Sequence, residues 1–234
     1  MSAVPPARVL AMNDAPARPE GEFVLYWMTA FRRTNWNFSL DRAIAWCREL
    51  HRPLVVLEAL RCDYPWAGDR LHAFILQGMA DNERALGARP VTYYPYVEAE
   101  RGAGKGLVAA LSAKACVVVT DDFPCFMLPR MTASAAKQCR VRMEAVDSNG
   151  LLPMRSTPSA FPTAYAFRRY SQRALPGHLV ERPRADPFAG EPLPRPKAPP
   201  ADLVARWPRA DPGAWLREIG TLPIDHDVGP VATR

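Results

Sequence analysis

The sequence predicts an α/β fold, a doubly wound five-stranded parallel sheet with helices on both faces. Three observations carry that expectation. Five short apolar runs, rich in β-branched and aromatic residues, recur between residues 21 and 146. Stretches with apolar positions at helical spacing separate them. The runs also lack the alternation of a sheet with one wet face, so each strand is covered on both sides. Strand and helix alternating in this way imply right-handed βαβ crossovers.

The first run, residues 23–28 (FVLYWM), is too short for a buried helix and made of strand formers. Ser39 then offers a cap to a helix whose apolar positions are Leu40, Ala43, Ile44, Cys47 and Leu50. Pro53 opens a second strand over 54–57. Leu71, Phe74, Ile75, Met79 and Leu86 share a face of the next helix, and a third strand covers 91–96. A short helix over 107–113, a strand over 115–120, a helix over 126–138 and a strand over 141–146 complete the alternation. A last helix over 164–175 carries Arg168, Arg169 and Arg173, a basic stripe that suits phosphate contact or a solvated face.

Composition sets the flanks. Of 25 prolines, eleven lie between Pro183 and Pro230, where missing amide donors oppose regular structure. The expected organisation is a flexible leader over 1–20, a folded domain over 21–178 and a mostly extended linker over 179–234. The formal charge is +6, which suits nucleic acid, an anionic cofactor or an arginine-rich composition with no such partner. The five cysteines show no C-x-x-C spacing, which argues against a zinc site or disulfide framework. Neither a signal peptide nor a membrane span is expected, and the chain reads as soluble and cytoplasmic.

No chemistry-bearing motif is complete. Gly102, Gly104, Lys105 and Gly106 suggest a phosphate loop, but Ala99 stands where its first glycine belongs and Gly106 where Ser or Thr should bind magnesium. A flexible loop is the better reading. No nucleophile elbow occurs, the four histidines are scattered, and no catalytic or metal-ligating residue is assigned. Asp121 and Asp122 form the best acidic pair. Binding a metal, a ribose or a basic partner and capping the following helix both remain open for it. Ligands of open parallel sheets sit at the carboxyl ends of the strands. That rule selects Ala30, Arg32, Arg33, Glu58, Leu60, Thr120, Asp121, Asp122, Phe123, Asp147, Ser148 and Asn149 as candidate cofactor-binding residues.

These residues also resemble a known family. Val24, Leu25, Tyr26, Trp27 and Met28, with Arg32, Arg33 and the segment from Asn35 to Leu40, are similar to the opening strand and helix of class II DNA photolyases. The run 53–57 (PLVVL) resembles that family's P-L-V-V-V-F strand, and 74–78 (FILQG) its F-M-L-E-G helix. Residues 118–124 resemble V-V-T-D-F-S-P. Asp147, Ser148 and Asn149, with Leu152, Pro153 and Met154, resemble V-D-x-H-N-V-V-P-M. The segment 159–168 departs from the family pattern, lacking its lysine and glutamate.

The resemblance implies the N-terminal α/β domain of a photolyase or cryptochrome family protein acting in light-dependent DNA repair. It implies an antenna chromophore, a deazaflavin or a folate, at the strand ends. FAD and the repair chemistry would belong to a helical domain that this chain does not contain. The segments 223–226 and 230–234 resemble the approach to it, so DNA would be met through that partner, and this chain alone is expected to be inactive. A cryptochrome-like signalling module and a stand-alone nucleotide-binding domain are the competing expectations.

Overall fold

The computed structural model describes residues 4–227. The expected parallel sheet is present, with six strands in place of five. In chain order they are β1 (Val9–Ala11), β2 (Phe23–Met28), β3 (Leu54–Leu60), β4 (Val91–Val97), β5 (Ala115–Asp121) and β6 (Met143–Val146). Their order across the sheet is β1-β6-β5-β2-β3-β4. All neighbours are parallel except β1, which pairs antiparallel with β6. The direction of strand progression reverses between β2 and β5, where such sheets open a crevice at their carboxyl ends.

Period-two geometry divides β2 between two cores. Val24, Tyr26 and Met28 face α1 (Phe38–Leu50), beside Leu40, Ile44 and Trp46. Phe23, Leu25 and Trp27 face the opposite side, where Leu107 and Leu111 of α3 (Leu107–Ser112) pack. Helix α2 (Asp69–Gly87) closes a third cluster through Leu76 and Met79, against Leu60 and Val97. Helix α4 (Leu128–Ala136) follows β5. The α1 cap differs from expectation. Asn37, not Ser39, is the N-cap, and its side chain accepts from the amides of Ser39 and Leu40 at 2.9 and 3.3 Å. Ser39 is buried instead, donating to the Val146 carbonyl.

Both flanks carry order beyond expectation within the described residues; Met1–Ala3 and the motif at 230–234 lie outside them. Val9, Leu10 and Ala11 take the open edge of β6 opposite Val146, Ala145 and Glu144. Arg8 is buried, and its guanidinium donates to the carbonyls of Asp147, Asn149, Gly150 and Leu151. The proline-rich tail is irregular over 181–200, as expected, but is anchored to the domain beyond it. It forms α6 (Ala201–Arg206) and α7 (Pro212–Arg217), the second starting with proline at a position that needs no amide donor. Leu203, Trp207, Ala210 and Leu222 are buried against the domain. The Ala210 amide donates to the Pro95 carbonyl at 2.9 Å, and the Thr92 hydroxyl to the Lys197 carbonyl at 2.8 Å, so the tail covers the free edge of β4.

Helix α5 (Ala164–His178) behaves differently, because none of its residues is buried. Among the described residues no helix is long and apolar enough to cross a membrane.

Candidate functional site

A cavity of about 650 Å³ opens at the carboxyl ends of β2, β3 and β4. That volume lies within the usual range for small-molecule sites, roughly 300–1,000 Å³. Its sheet side is formed by Trp27 and Thr29 after β2, Ala59 to Arg61 after β3, and Tyr96 and Glu98 after β4. Helices α2, α3 and α4 wall it with Leu71, Ile75, Leu107, Met131 and Ala135. Tyr64 and Phe126 stand at its loops, while Arg32, Arg61 and Lys105 bring positive charge. Arg61 is shared with Asp63 at 3.7 Å. The surface is apolar and aromatic with a few convergent polar groups, the usual make-up of a pocket for a flat organic ligand.

The polar groups beneath are fixed and mostly uncharged. The Glu98 carboxylate accepts from the Cys62 amide and from the Gly104 amide, both at 3.0 Å. Burial, together with the Glu98 carboxylate, pushes the Cys62 thiol up to about 11 and the Tyr96 phenol up to about 12. Both therefore stay protonated at neutral pH. A side chain at Gly104 would bring its Cβ within 3.2 Å of Glu98 and of the Tyr96 ring. The glycine-rich segment is therefore a cavity wall and not the flexible loop expected. Trp207 braces it from the tail, donating from its indole to the Ala103 carbonyl at 2.9 Å. Glycine permits this close backbone approach; no phosphate motif is needed to explain it.

Of the candidates selected from the strand ends, Arg32 and Leu60 line this cavity, and Ala30 adjoins its Thr29. Arg32 also donates to the buried Glu58 carboxylate at 3.0 Å. Glu58 accepts in addition from Asn82 at 2.9 Å and the Tyr93 hydroxyl at 2.7 Å, so it positions Arg32 from below. Arg33 is exposed, its guanidinium over the Phe31 ring. Phe123 meets the same ring edge-on at 6.4 Å.

The remaining candidates serve the fold around the crevice. The Thr120 hydroxyl donates to the Trp27 carbonyl. Asp121 accepts from the amides of Thr29, Ala30 and Phe31 at 2.8, 2.7 and 2.9 Å. It thus caps the turn after β2 and does not line the cavity, nor does it cap α4, whose N-cap is Met127. Asp122 is ion-paired with Arg155. Asp147 accepts from the amides of Asn149 and Met154. Ser148 accepts from the Phe38 amide. Arg168, Arg169 and Arg173 are exposed on α5, away from the cavity lining. No cluster of metal-ligating side chains occurs among the described residues.

What sequence reasoning missed are the β4 end, the glycine wall and the inner face of α4. Tyr96 and Glu98 stand at the end of β4 as the other candidates do at their parallel strands, so the strand-end rule reaches them.

No protein-family model matches the chain. A deoxyribodipyrimidine photo-lyase of Methanothermobacter thermautotrophicus is 27% identical over 147 residues. The match covers 63% of this chain and 32% of the relative, so it spans about a third of that protein's length. Among solved structures, a universal stress protein in complex with cAMP aligns with 56% of this chain and all of its own, at 18% identity and a TM-score of 0.34. The sequence similarity, on a mostly parallel α/β sheet, supports a photolyase-related N-terminal domain.

Proposed function

We propose that this chain is the antenna domain of a photolyase-like protein, binding a planar heteroaromatic chromophore in the strand-end cavity for light-dependent DNA repair. The observation that carries the reading is the cavity itself. It offers about 650 Å³, aromatic walls in Trp27, Tyr64, Tyr96 and Phe126, and the cations Arg61 and Lys105 for an anionic substituent. A deazaflavin or a folate fits that chemistry, being flat, apolar on its faces and polar at one end. The similarity to a photo-lyase gives the light-driven role its support.

When bound, the chromophore would supply absorption of light and transfer of excitation. The chain's own residues would do the rest. Trp27 and Tyr96 would stack or edge against the ring, Arg32 would be held at the rim by Glu58, and Tyr96 and Cys62 would stay protonated beside the Glu98 carboxylate. The electron for dimer cleavage would come from FAD on a helical partner domain, to which no residue of this chain is assigned. This chain by itself is proposed to repair nothing.

The test is equilibrium binding. Purified chain titrated with a 5-deazaflavin and, separately, with a reduced folate should show saturable binding of at least one. Replacing Gly104 with valine should abolish it, because the new side chain fills the wall beside Tyr96. Absence of binding by either probe would overturn the antenna reading.

A further inference from the structure

Two large aromatic residues, one lining the cavity and one lining the hollow beside it, hold backbone conformations that large side chains avoid. Trp66, in the loop between β3 and α2, has φ of +70°, and Phe126, between β5 and α4, has φ of +65°. Both lie in the left-handed region, where a Cβ crowds its own carbonyl. Both are also exposed, Trp66 at 78% and Phe126 at 48%. Strained backbone and exposed apolar rings are two separate costs, and they fall on one pair. What the pair has in common is a stack, with ring centroids 5.4 Å apart and planes 23° from parallel. Strain of this kind persists where the surroundings impose it, characteristically at ligand clamps.

Position gives the stack its meaning. Strands β3 and β5 flank β2 in the sheet, so loops leaving their ends face each other across the cavity that Trp27 and Thr29 floor. Phe126 lines that cavity. Trp66 lines an adjoining hollow of about 390 Å³, and Tyr64 lines both. Tyr64 meets Phe126 edge-on at 5.9 Å and stacks on His72 at 5.7 Å, with planes 8° apart.

His72 is a fixed support. It is fully buried, and burial holds its imidazole below the usual histidine range. Its Nε2 lies 3.1 Å from the Arg61 carbonyl, which can only accept, so the neutral ring carries its proton there. Tyr64 is therefore anchored from the interior, while the outer two rings rest on each other and on it.

We infer that Trp66 and Phe126 form an aromatic gate over the cavity, which parts to admit a planar ligand and closes by stacking on it. The inference rests on the chromophore reading above. A flat ring between two others needs them about 7 Å apart, twice the carbon contact distance. At 5.4 Å the gate is shut, and it must move for a ligand to enter or to be sandwiched. Each leaf closes over the ligand, so the gate acts on escape more than on encounter.

Stopped-flow binding of a 5-deazaflavin to the full chain tests this. Trp66→Ala and Phe126→Ala should each raise the dissociation rate about tenfold, as loss of one stacking partner does. Trp66→Gly, which suits the left-handed backbone and keeps the protein folded, should do the same. Phe74→Ala removes an equally exposed ring on α2 that does not line the cavity, and should leave both rates unchanged. Unaltered dissociation in the Trp66 and Phe126 variants, with the parent chain still binding, would overturn the gate and leave the chromophore reading intact. No binding by the parent chain would remove both.

Discussion

The hydroxyl of Tyr26 donates to the carboxylate of Asp121 at 2.8 Å, joining β2 to β5 at the point where the sheet reverses its direction of winding. The other Asp121 oxygen holds three successive amides of the turn after β2. Burial, then the Asp121 charge, pushes the Tyr26 phenol well above its usual range, so it remains a donor. Asp121→Ala would leave those amides buried without a partner. It should cost about 3 kcal/mol or more, since hydrogen bonds to charged groups contribute about 1.5–3 kcal/mol each. Asp121→Asn keeps one acceptor and should cost clearly less. Urea midpoints of the two variants check the order.

Glu144 is buried in β6 among three donors. Arg42 and Arg142 reach it at 2.7 Å, and the Trp46 indole at 2.8 Å. Burial raises its pKa, but the hydrogen bonds from Arg42, Trp46 and Arg142 outweigh that and hold it below the usual glutamate range. A carboxyl depressed in the folded state stabilises fully above its unfolded pKa and loses that contribution as pH falls through its folded value. Stability should therefore drop on acidification below the ordinary glutamate range. Glu144→Gln should be less stable at pH 7 and show a shallower acid limb in thermal melts taken across pH.

His226 clasps the tail to the start of α2. Its Nδ1 lies 2.8 Å from the Asp69 carboxylate and its Nε2 2.9 Å from the Leu222 carbonyl. Both partners accept, so the doubly protonated ring satisfies both. The Asp69 hydrogen bond, then the Leu222 carbonyl, raises its pKa above the usual histidine range. A raised pKa means the clasp contributes fully below the unfolded value and is lost as pH rises through the folded one. The Asp225 amide, which donates to the Ala67 carbonyl, should exchange faster at pH 8.5 than at 5.5 after correction for intrinsic rates. His226→Gln should remove that difference.

Trp207 joins the tail to the cavity wall, so its loss should be felt in both. Trp207→Ala should destabilise the domain by about 3–5 kcal/mol, the usual range for a buried Trp. It should also weaken 5-deazaflavin binding by freeing the segment at Ala103. Calorimetric melting and the binding titration give the two readouts.

The exposed arginines of α5 are proposed to meet DNA phosphates. Replacing Arg168, Arg169 and Arg173 with alanine should lower the slope of log K against log salt by about 2–3 for duplex binding, close to 0.9 per phosphate contact. An unchanged slope would leave them as a solvated face.

The five strands of the parallel sheet were legible because burial on both faces writes a continuous apolar run, as in Val117, Val118 and Val119. Strand β1 was not. Three residues among prolines and charges carry no periodicity, and their pairing is fixed by the vacant edge of β6, a tertiary fact. The two short helices of the tail were hidden because proline frequency argues against regular elements, yet Pro212 begins one and Trp207 supplies the burial. Asn37 outcompeted Ser39 as a cap because the chain turns two residues earlier than the apolar pattern indicates. At the site, Asp121 looked available since sequence shows a carboxylate but not the three amides turned towards it. Arg32 and Leu60 lie on the cavity lining, the part of the strand ends that the topology rule picks out.

The covering of β4 has a consequence for how the molecule behaves among its neighbours. A bare outer strand invites a foreign strand to join the sheet, which is a common origin of aggregation. Here Pro95 withholds a donor within that strand, and the Pro95 carbonyl is already taken by Ala210. The opposite border ends in the three residues of β1, too short to template much. The β4 border is thereby closed to strand addition and the β1 border offers it little, and a protein shortened before Lys197 would expose the first and should begin to self-associate.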